Sequence, residues 1–264
     1  MPTAEEIITP AFLETNQIVS SESIEAKQLA GQMQALTQQL LGKRYDPEKH
    51  QFTFLFSDNP DVEGFIIPTA KPPIIVTSTG LINGSKTIDE IAGYLGHELG
   101  HLNIQEKYGK AREANSKAEE MGADLYSMKL INEAGYSLQG ISDLLKRCDD
   151  DVPAYTALVD VHPLTKTRLS IMDKAKSLAA RDGYDISKPS QALPSIWKEA
   201  TAKLSYLSIL EQEKISIGYD GLNSEEKLQW LRKKVEGLKE ASVEGSEGKT
   251  NYNIFKVRAN ELLQ

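Results

Sequence analysis

A single cysteine, Cys148, is present in 264 residues, so no internal disulfide can form and stability must come from packing alone. No run of eighteen apolar residues occurs, which excludes a helical membrane span. The N-terminal stretch MPTAEEIITPAFLETNQ lacks a basic segment followed by an apolar one, so no secretory leader is read from it. The sequence as it stands is therefore expected to be soluble and cytoplasmic, or periplasmic or exported if a leader was removed before residue 1. Lys/Arg-rich blocks are missing too, and the net charge is −8, with acidic and basic residues interleaved; nucleic acid is not expected as a partner. What remains is ordinary globular composition, 40% hydrophobic and 26% charged, enough for one large domain or a domain with an appendage. Oligomeric state is not legible.

Histidine is scarce as well, with only four in the chain, and two of them fall in His97-Glu98-Leu99-Gly100-His101. This is an instance of H-E-x-x-H. Positions four apart lie one above the other on a helix, so His97 and His101 can present two imidazole nitrogens to one metal ion. Glu98 flanks that position and can take a proton from water at the metal. The flanks predict the helix: Thr87-Ile88-Asp89-Glu90 reads as a capping box, Ile88, Ile91, Ala92, Leu95, Leu99 and Leu102 recur at helical spacing, and Gly109 is a stop.

Residues 4–42 read as one packing helix with Ile18, Ile24, Leu29, Met33, Leu36, Leu40 and Leu41 on its stripe. Three strands are expected at 51–56, 64–68 and 72–79, with prolines 68, 72 and 73 placing one at a sheet edge. Such an edge either faces water or accepts an extended peptide as a further strand. A second helix is expected from about Glu113 to Ala134, closed by Gly135. Glu120 and Asp124 are four apart within it. Catalytic zinc commonly has three protein ligands, and Glu120 is either the third or part of a solvated face beside Glu119. A helix to about Lys146 follows, and His162-Pro163 opens another that runs to Arg181. His162 is either an inconsequential loop histidine or a donor to charge developing on an attacked carbonyl. From Ser187 onward the chain reads as polar and helical, with stripes at Ile196, Ala200, Leu204, Leu207 and at Leu228, Leu231, Val235, Leu238. That segment is expected to pack on the body, with a lid or docking surface as the alternative.

These residues resemble metallopeptidase family 48, the group of HtpX, BepA and the Ste-type prenyl-protein endopeptidases, over about residues 50–182. The resemblance is carried by Ile75–Ile82, by Ile91–His101, by Glu120-Met121-Gly122-Ala123-Asp124 as an E-x-x-A-D pattern, by Gly135-Tyr136, and by His162-Pro163 with Arg168 as H-P-x-x-x-x-R. It implies an α+β, mostly helical, zincin-like (gluzincin) fold: a small β-sheet, the H-E-x-x-H helix and a third-ligand helix, with helical N- and C-terminal segments. It implies segments at 1–45, 46–186 and 187–264, the middle one being the peptidase. It further implies one Zn2+ per chain on His97, His101 and Glu120, Glu98 as general base, His162 at the tetrahedral intermediate and Asp124 bonded to a zinc histidine. Arg168 and Phe65 are implied as substrate or transition-state support, although Glu63-Gly64-Phe65 departs from the Asn-Ala that the family often has before its aromatic. The membrane helices of HtpX and the prenyl endopeptidases are missing, which points away from prenyl-protein processing. The expected activity is hydrolysis of peptide bonds in a polypeptide substrate, with unfolded or misassembled protein as the expected class. The competing expectation is a latent or non-catalytic zinc-binding chaperone or scaffold whose cleft is covered by C-terminal helices.

Overall fold

A computed structural model describes residues 2–19, 21–109, 116–149, 165–181, 188–202, 204, 214, 217–218 and 221–244. The chain enters through two short helices, α1 (Ala4–Ile7) and α2 (Pro10–Thr15), and a long one, α3 (Ile24–Leu41). The single helix expected over 4–42 is thus three. Each has its own start: Thr3 caps α1 in a capping box with Glu6, Thr9 caps α2 with Pro10 in its first turn, and Ser23 caps α3. Between α2 and α3 the backbone turns at Gln17, at φ +50°, and runs beside the first strand. There the Val19 amide donates to the Phe56 carbonyl and the Asp58 amide to that of Gln17. Ile24, placed on the apolar stripe from sequence, is 66% exposed.

The sheet has three strands, β1 (Thr53–Ser57), β2 (Gly64–Ile67) and β3 (Ile74–Ser78), in the order β1-β3-β2. β1 runs parallel to β3 and β2 antiparallel to it, with Phe65 opposite Val76. Alternation sends the residues to two faces. Phe54, Phe56, Ile75 and Ile66 join the main core, while Leu55, Ile74, Val76 and Ile67 pack with Ala4, Ile7, Ile8 and Phe12 of the entry helices. The third strand stops one residue earlier than expected. Ser78 caps a short helix α4 (Thr79–Gly84) that sequence reading missed, its hydroxyl accepting from the Leu81 amide and donating to the Asp61 carbonyl.

Beneath the sheet lies α5 (Ile88–Tyr108), which carries the H-E-x-x-H stretch. It is enclosed by the sheet and α3 on one side and by α6 (Ser116–Glu133) and α7 (Gln139–Asp149) on the other. Nearly every residue from Asp89 to Leu102 is buried. The expected capping box does not form as written, since Thr87 supplies no side-chain cap. A later segment takes over: the Ile88 amide donates to the Gln191 carbonyl, and buried Asp89 accepts from the amides of Ser137 and Gln191. Glu90 turns back to the Lys86 amide and the Thr87 hydroxyl and pairs with Arg147.

α8 (Thr165–Arg181) packs on α6 and α7. Residues 195–202 are helical, and Leu193, Trp197, Ala200 and Leu204 are buried in the main core. The stripe read from sequence is therefore rotated, with Ile196 exposed and Trp197 inside. A last described helix, α9 (Ser224–Glu244), buries Leu231. No described helix is long and apolar enough to cross a membrane. The architecture is mostly helical α+β.

The helices α5 and α6 approach closely because α5 presents glycine to its neighbour. A Cβ at Gly100 would stand 2.6 Å from the Ala123 Cα, and one at Gly96 would stand 2.6 Å from the Ser127 Oγ. The pairs 96–127 and 100–123 show that the two helices run antiparallel. Ser127 adds a tie, donating to the Gly93 carbonyl at 2.7 Å. Alanine at position 100 would gain about 1 kcal/mol of helix propensity. Overpacking against a backbone atom costs roughly 1–3 kcal/mol, so the clash wins. Gly100→Ala is expected to lower the melting temperature by several degrees, and a melting curve unchanged from wild type would refute the tight contact.

Candidate metal centre

The α5–α6 contact sets the site. His97 and His101 point from α5 toward α6, and Glu120 points back between them. Nε2 of His97 lies 3.2 Å from Oε2 of Glu120, and Nε2 of His101 lies 3.2 Å from its Oε1. The two Nε2 atoms are 3.1 Å apart, with the rings nearly perpendicular. Among the described residues, these three form a group able to hold a metal ion, their donor atoms all within 4.8 Å of one another.

The outer ring nitrogens are also occupied. Nδ1 of His97 is 2.9 Å from Asp124 Oδ1, and Nδ1 of His101 is 2.9 Å from Glu119 Oε1. An ionised carboxylate only accepts, so each Nδ1 is the donor and each Nε2 lone pair is left facing Glu120. When both rings are neutral, two lone pairs and a carboxylate then converge with no donor between them. That arrangement calls for positive charge at its centre. Donors about 2.0–2.1 Å from a tetrahedral zinc stand roughly 3.3 Å apart, close to the separations observed. The donor set therefore fits the group.

The protonation equilibria carry the same signal. Burial opposes charge on His97, yet its bonds to Asp124 and Glu120 outweigh burial and push its pKa up to about 9. His101 is likewise raised: burial opposes its charge, and its bond to Glu120 prevails. Glu120 is drawn far below the usual carboxylate range by the two histidines, again against burial.

Asp124 is 1% exposed and is itself held in place. Arg168, from α8, donates from Nε to Oδ2 at 2.7 Å and from Nη2 to Oδ1 at 2.6 Å. Burial works against the Asp124 charge, but Arg168 and His97 keep its pKa low. Arg168 is buried, and its Nη2 also lies 3.8 Å from Glu120 Oε2.

Glu98 sits beside this group without joining it. It is 4% exposed, and no hydrogen bond to it is seen among the described residues. Burial pushes its pKa upward, partly offset by the neighbouring histidines. A carboxylate in that condition is suited to accept and return a proton.

The residues singled out from sequence are thus distributed unequally. His97, Glu98, His101, Glu120, Asp124 and Arg168 come together. Phe65 does not join them: it shares a sheet face with Val76, on the side away from α5, and is 38% exposed. Gly64 has the closer approach, since a Cβ there would stand 2.3 Å from the hydroxyl of Tyr94, one helical turn before Glu98. His162 lies outside the described residues. Sequence reading missed Glu119, which served there only as a sign that the face was solvated. The signal available was its place beside Glu120 on a helix antiparallel to α5.

In this mostly helical α+β chain, two histidines and a carboxylate thus converge from packed helices as a possible metal site, with a buried glutamate next to them. In the family comparison, the model of peptidase family M48 matches residues 27–111 of this chain. The match runs from α3 through the sheet and α5 and ends before α6, so Glu119, Glu120, Asp124 and Arg168 stand on the geometry alone. Among curated proteins, none matches the chain at a significant level.

Two outcomes follow for the isolated protein. Because His97 holds a proton up to about pH 9 in the metal-free site, metal uptake near neutrality must displace it. Apparent affinity should rise with pH between 6 and 8, and calorimetry in buffers of different ionisation enthalpy should register proton release; pH-independent affinity with no release would contradict this. For Asp124→Asn, the loss of an anionic acceptor at Nδ1 of His97 should weaken metal binding roughly ten- to a hundredfold. A chelator titration indistinguishable from wild type would remove Asp124 from that role.

Proposed function

We propose that the protein is a zinc metalloendopeptidase acting on unfolded or misassembled polypeptides, with a zincin-like catalytic body. The observation that carries this reading is the paired arrangement of a two-histidine, one-glutamate donor set and a separate buried carboxylate, Glu98, free of hydrogen bonds among the described residues. A site built only to hold metal for structural reasons has no use for Glu98.

In this reading His97, His101 and Glu120 would hold one zinc, as two histidines and a carboxylate do in catalytic zinc sites. Zinc supplies Lewis acidity there, acidifying water and polarising a carbonyl. Glu98 accepts the proton of the attacking water on a carboxylate oxygen, its raised pKa allowing it to keep that proton. It then delivers the proton to the departing amine nitrogen. Asp124 and Arg168 keep the His97 ring in its ligating tautomer. His162 is proposed to donate to the oxyanion, and Phe65 to contact substrate.

Substrate orientation has a physical basis in the sheet. β2 is an outer strand, and its backbone at Gly64 lies against Tyr94 on the helix that carries Glu98. An extended chain added to that edge is held through backbone hydrogen bonds, which suits substrates without fixed sequence. The proposed peptidase unit is 46–186, flanked by helical segments at 1–45 and 187–264.

The test is degradation of casein by zinc-loaded wild type and Glu98→Gln. Cleavage by wild type and loss of most turnover in the variant, at equal zinc content, are expected. Wild-type turnover in Glu98→Gln would remove Glu98 as base, and no cleavage by either protein would overturn the endopeptidase reading.

A further inference from the structure

The family pattern that begins at Glu120 leaves the preceding residue unassigned. We infer that Glu119 is a positioning residue for His101, fixing its ring and its proton so that Nε2 faces the metal position. The inference rests on the metal-centre reading above and extends it.

Three observations support it. Glu119 Oε1 is 2.9 Å from Nδ1 of His101, the distance that Asp124 keeps from Nδ1 of His97. The Glu119 side chain is 11% exposed, equal to that of His101 itself, so the contact is enclosed rather than a surface pair in water. Helix register then explains why two different carboxylates are needed. His97 and His101 are offset by about 6 Å along α5. Because α6 runs antiparallel, the ring further along α5 meets the earlier α6 residue. Glu119 therefore reaches His101, Asp124 reaches His97, and Glu120 stands between them with one oxygen toward each ring. One short stretch of α6 supplies a ligand and both orienting anions.

The chemical requirement is definite. A neutral imidazole has one proton, and a ring that carries it on Nε2 cannot ligate through that atom. A carboxylate at Nδ1 holds the proton there and also stops the ring from turning about its bond to Cβ. Without Glu119, His101 is free to adopt the non-ligating tautomer or to rotate, although its backbone is unmoved. Glutamine retains a carbonyl oxygen able to accept from Nδ1 but loses the charge, so it should preserve most of the orientation.

Zinc affinity is to be measured by competition with a chromophoric chelator for wild type, Glu119→Gln and Glu119→Ala, with nitrogen NMR of His101 in the zinc-loaded and metal-free forms. The expected order is a loss of a few-fold for Gln and roughly ten- to a hundredfold for Ala, with His101 protonated on Nδ1 in zinc-loaded wild type. Melting curves of the metal-free proteins should be nearly superimposable. Affinity of Glu119→Ala within twofold of wild type overturns the inference. So do equal losses for Gln and Ala accompanied by a lowered melting temperature, which would mark a packing role. Should Glu119→Ala not fold, the His101 spectrum decides: an Nε2 proton in zinc-loaded wild type overturns the inference, and an Nδ1 proton displaced in Glu119→Gln supports it. If wild type itself takes up no zinc, the metal-centre reading fails and this inference falls with it, an outcome distinct from wild type and variants binding alike.

Discussion

The close approach of α5 and α6 is the constraint on which the structure depends. Two helices separated by ordinary side chains would leave Glu120 too far from the histidine rings to share a metal with them. Glycine at 96 and 100, facing Ser127 and Ala123, removes the side-chain layer on one partner. Everything polar in the site then follows from register. An antiparallel neighbour one backbone radius closer delivers Glu119, Glu120 and Asp124 to two rings spaced a helical turn apart. The same contact explains why α5 is enclosed on nearly all sides, and why a later segment, through Gln191 and Asp89, finishes its first turn.

Burying this much charge is unfavourable unless it is paired. The site answers with a layered arrangement. Arg168 neutralises Asp124, Asp124 and Glu119 hold the outer nitrogens, and the inner nitrogens and Glu120 are left competing for a cation. The upward pull on His97 and the downward pull on Glu120 are two views of that competition. Glu98 is outside the layering and is pushed toward its neutral form by burial instead. A single pocket thus contains carboxylates with opposite tendencies, one pinned in its charged state and one able to exchange a proton.

Much of this was legible in the sequence, and the reasons differ by element. His97, Glu98 and His101 were readable because helical spacing alone puts them on one face. The strands at 53–57, 64–67 and 74–78 were readable as short apolar runs bounded by turn residues and prolines, though their partners were not, since β1-β3-β2 order depends on contacts distant in sequence. The entry helices were misjudged as one because an apolar stripe outweighed the cap signals at Thr9-Pro10 and Ser23. Glu119 was illegible for a deeper reason. A carboxylate beside another on a helix looks solvated until the opposing helix is known, and only Gly96 and Gly100 hint at how near that helix comes. Trp197 was displaced from the predicted stripe for a similar cause: what it packs against is the body of the domain, not its own helix.

The most direct measurement of the central claim is the X-ray absorption spectrum of the purified, zinc-loaded chain together with its metal content. A centre formed by His97, His101 and Glu120 predicts one zinc per chain, a first shell of nitrogen and oxygen only, and multiple scattering from two imidazole rings. Zinc well below one equivalent, a sulfur ligand, or scattering from fewer than two rings would contradict it.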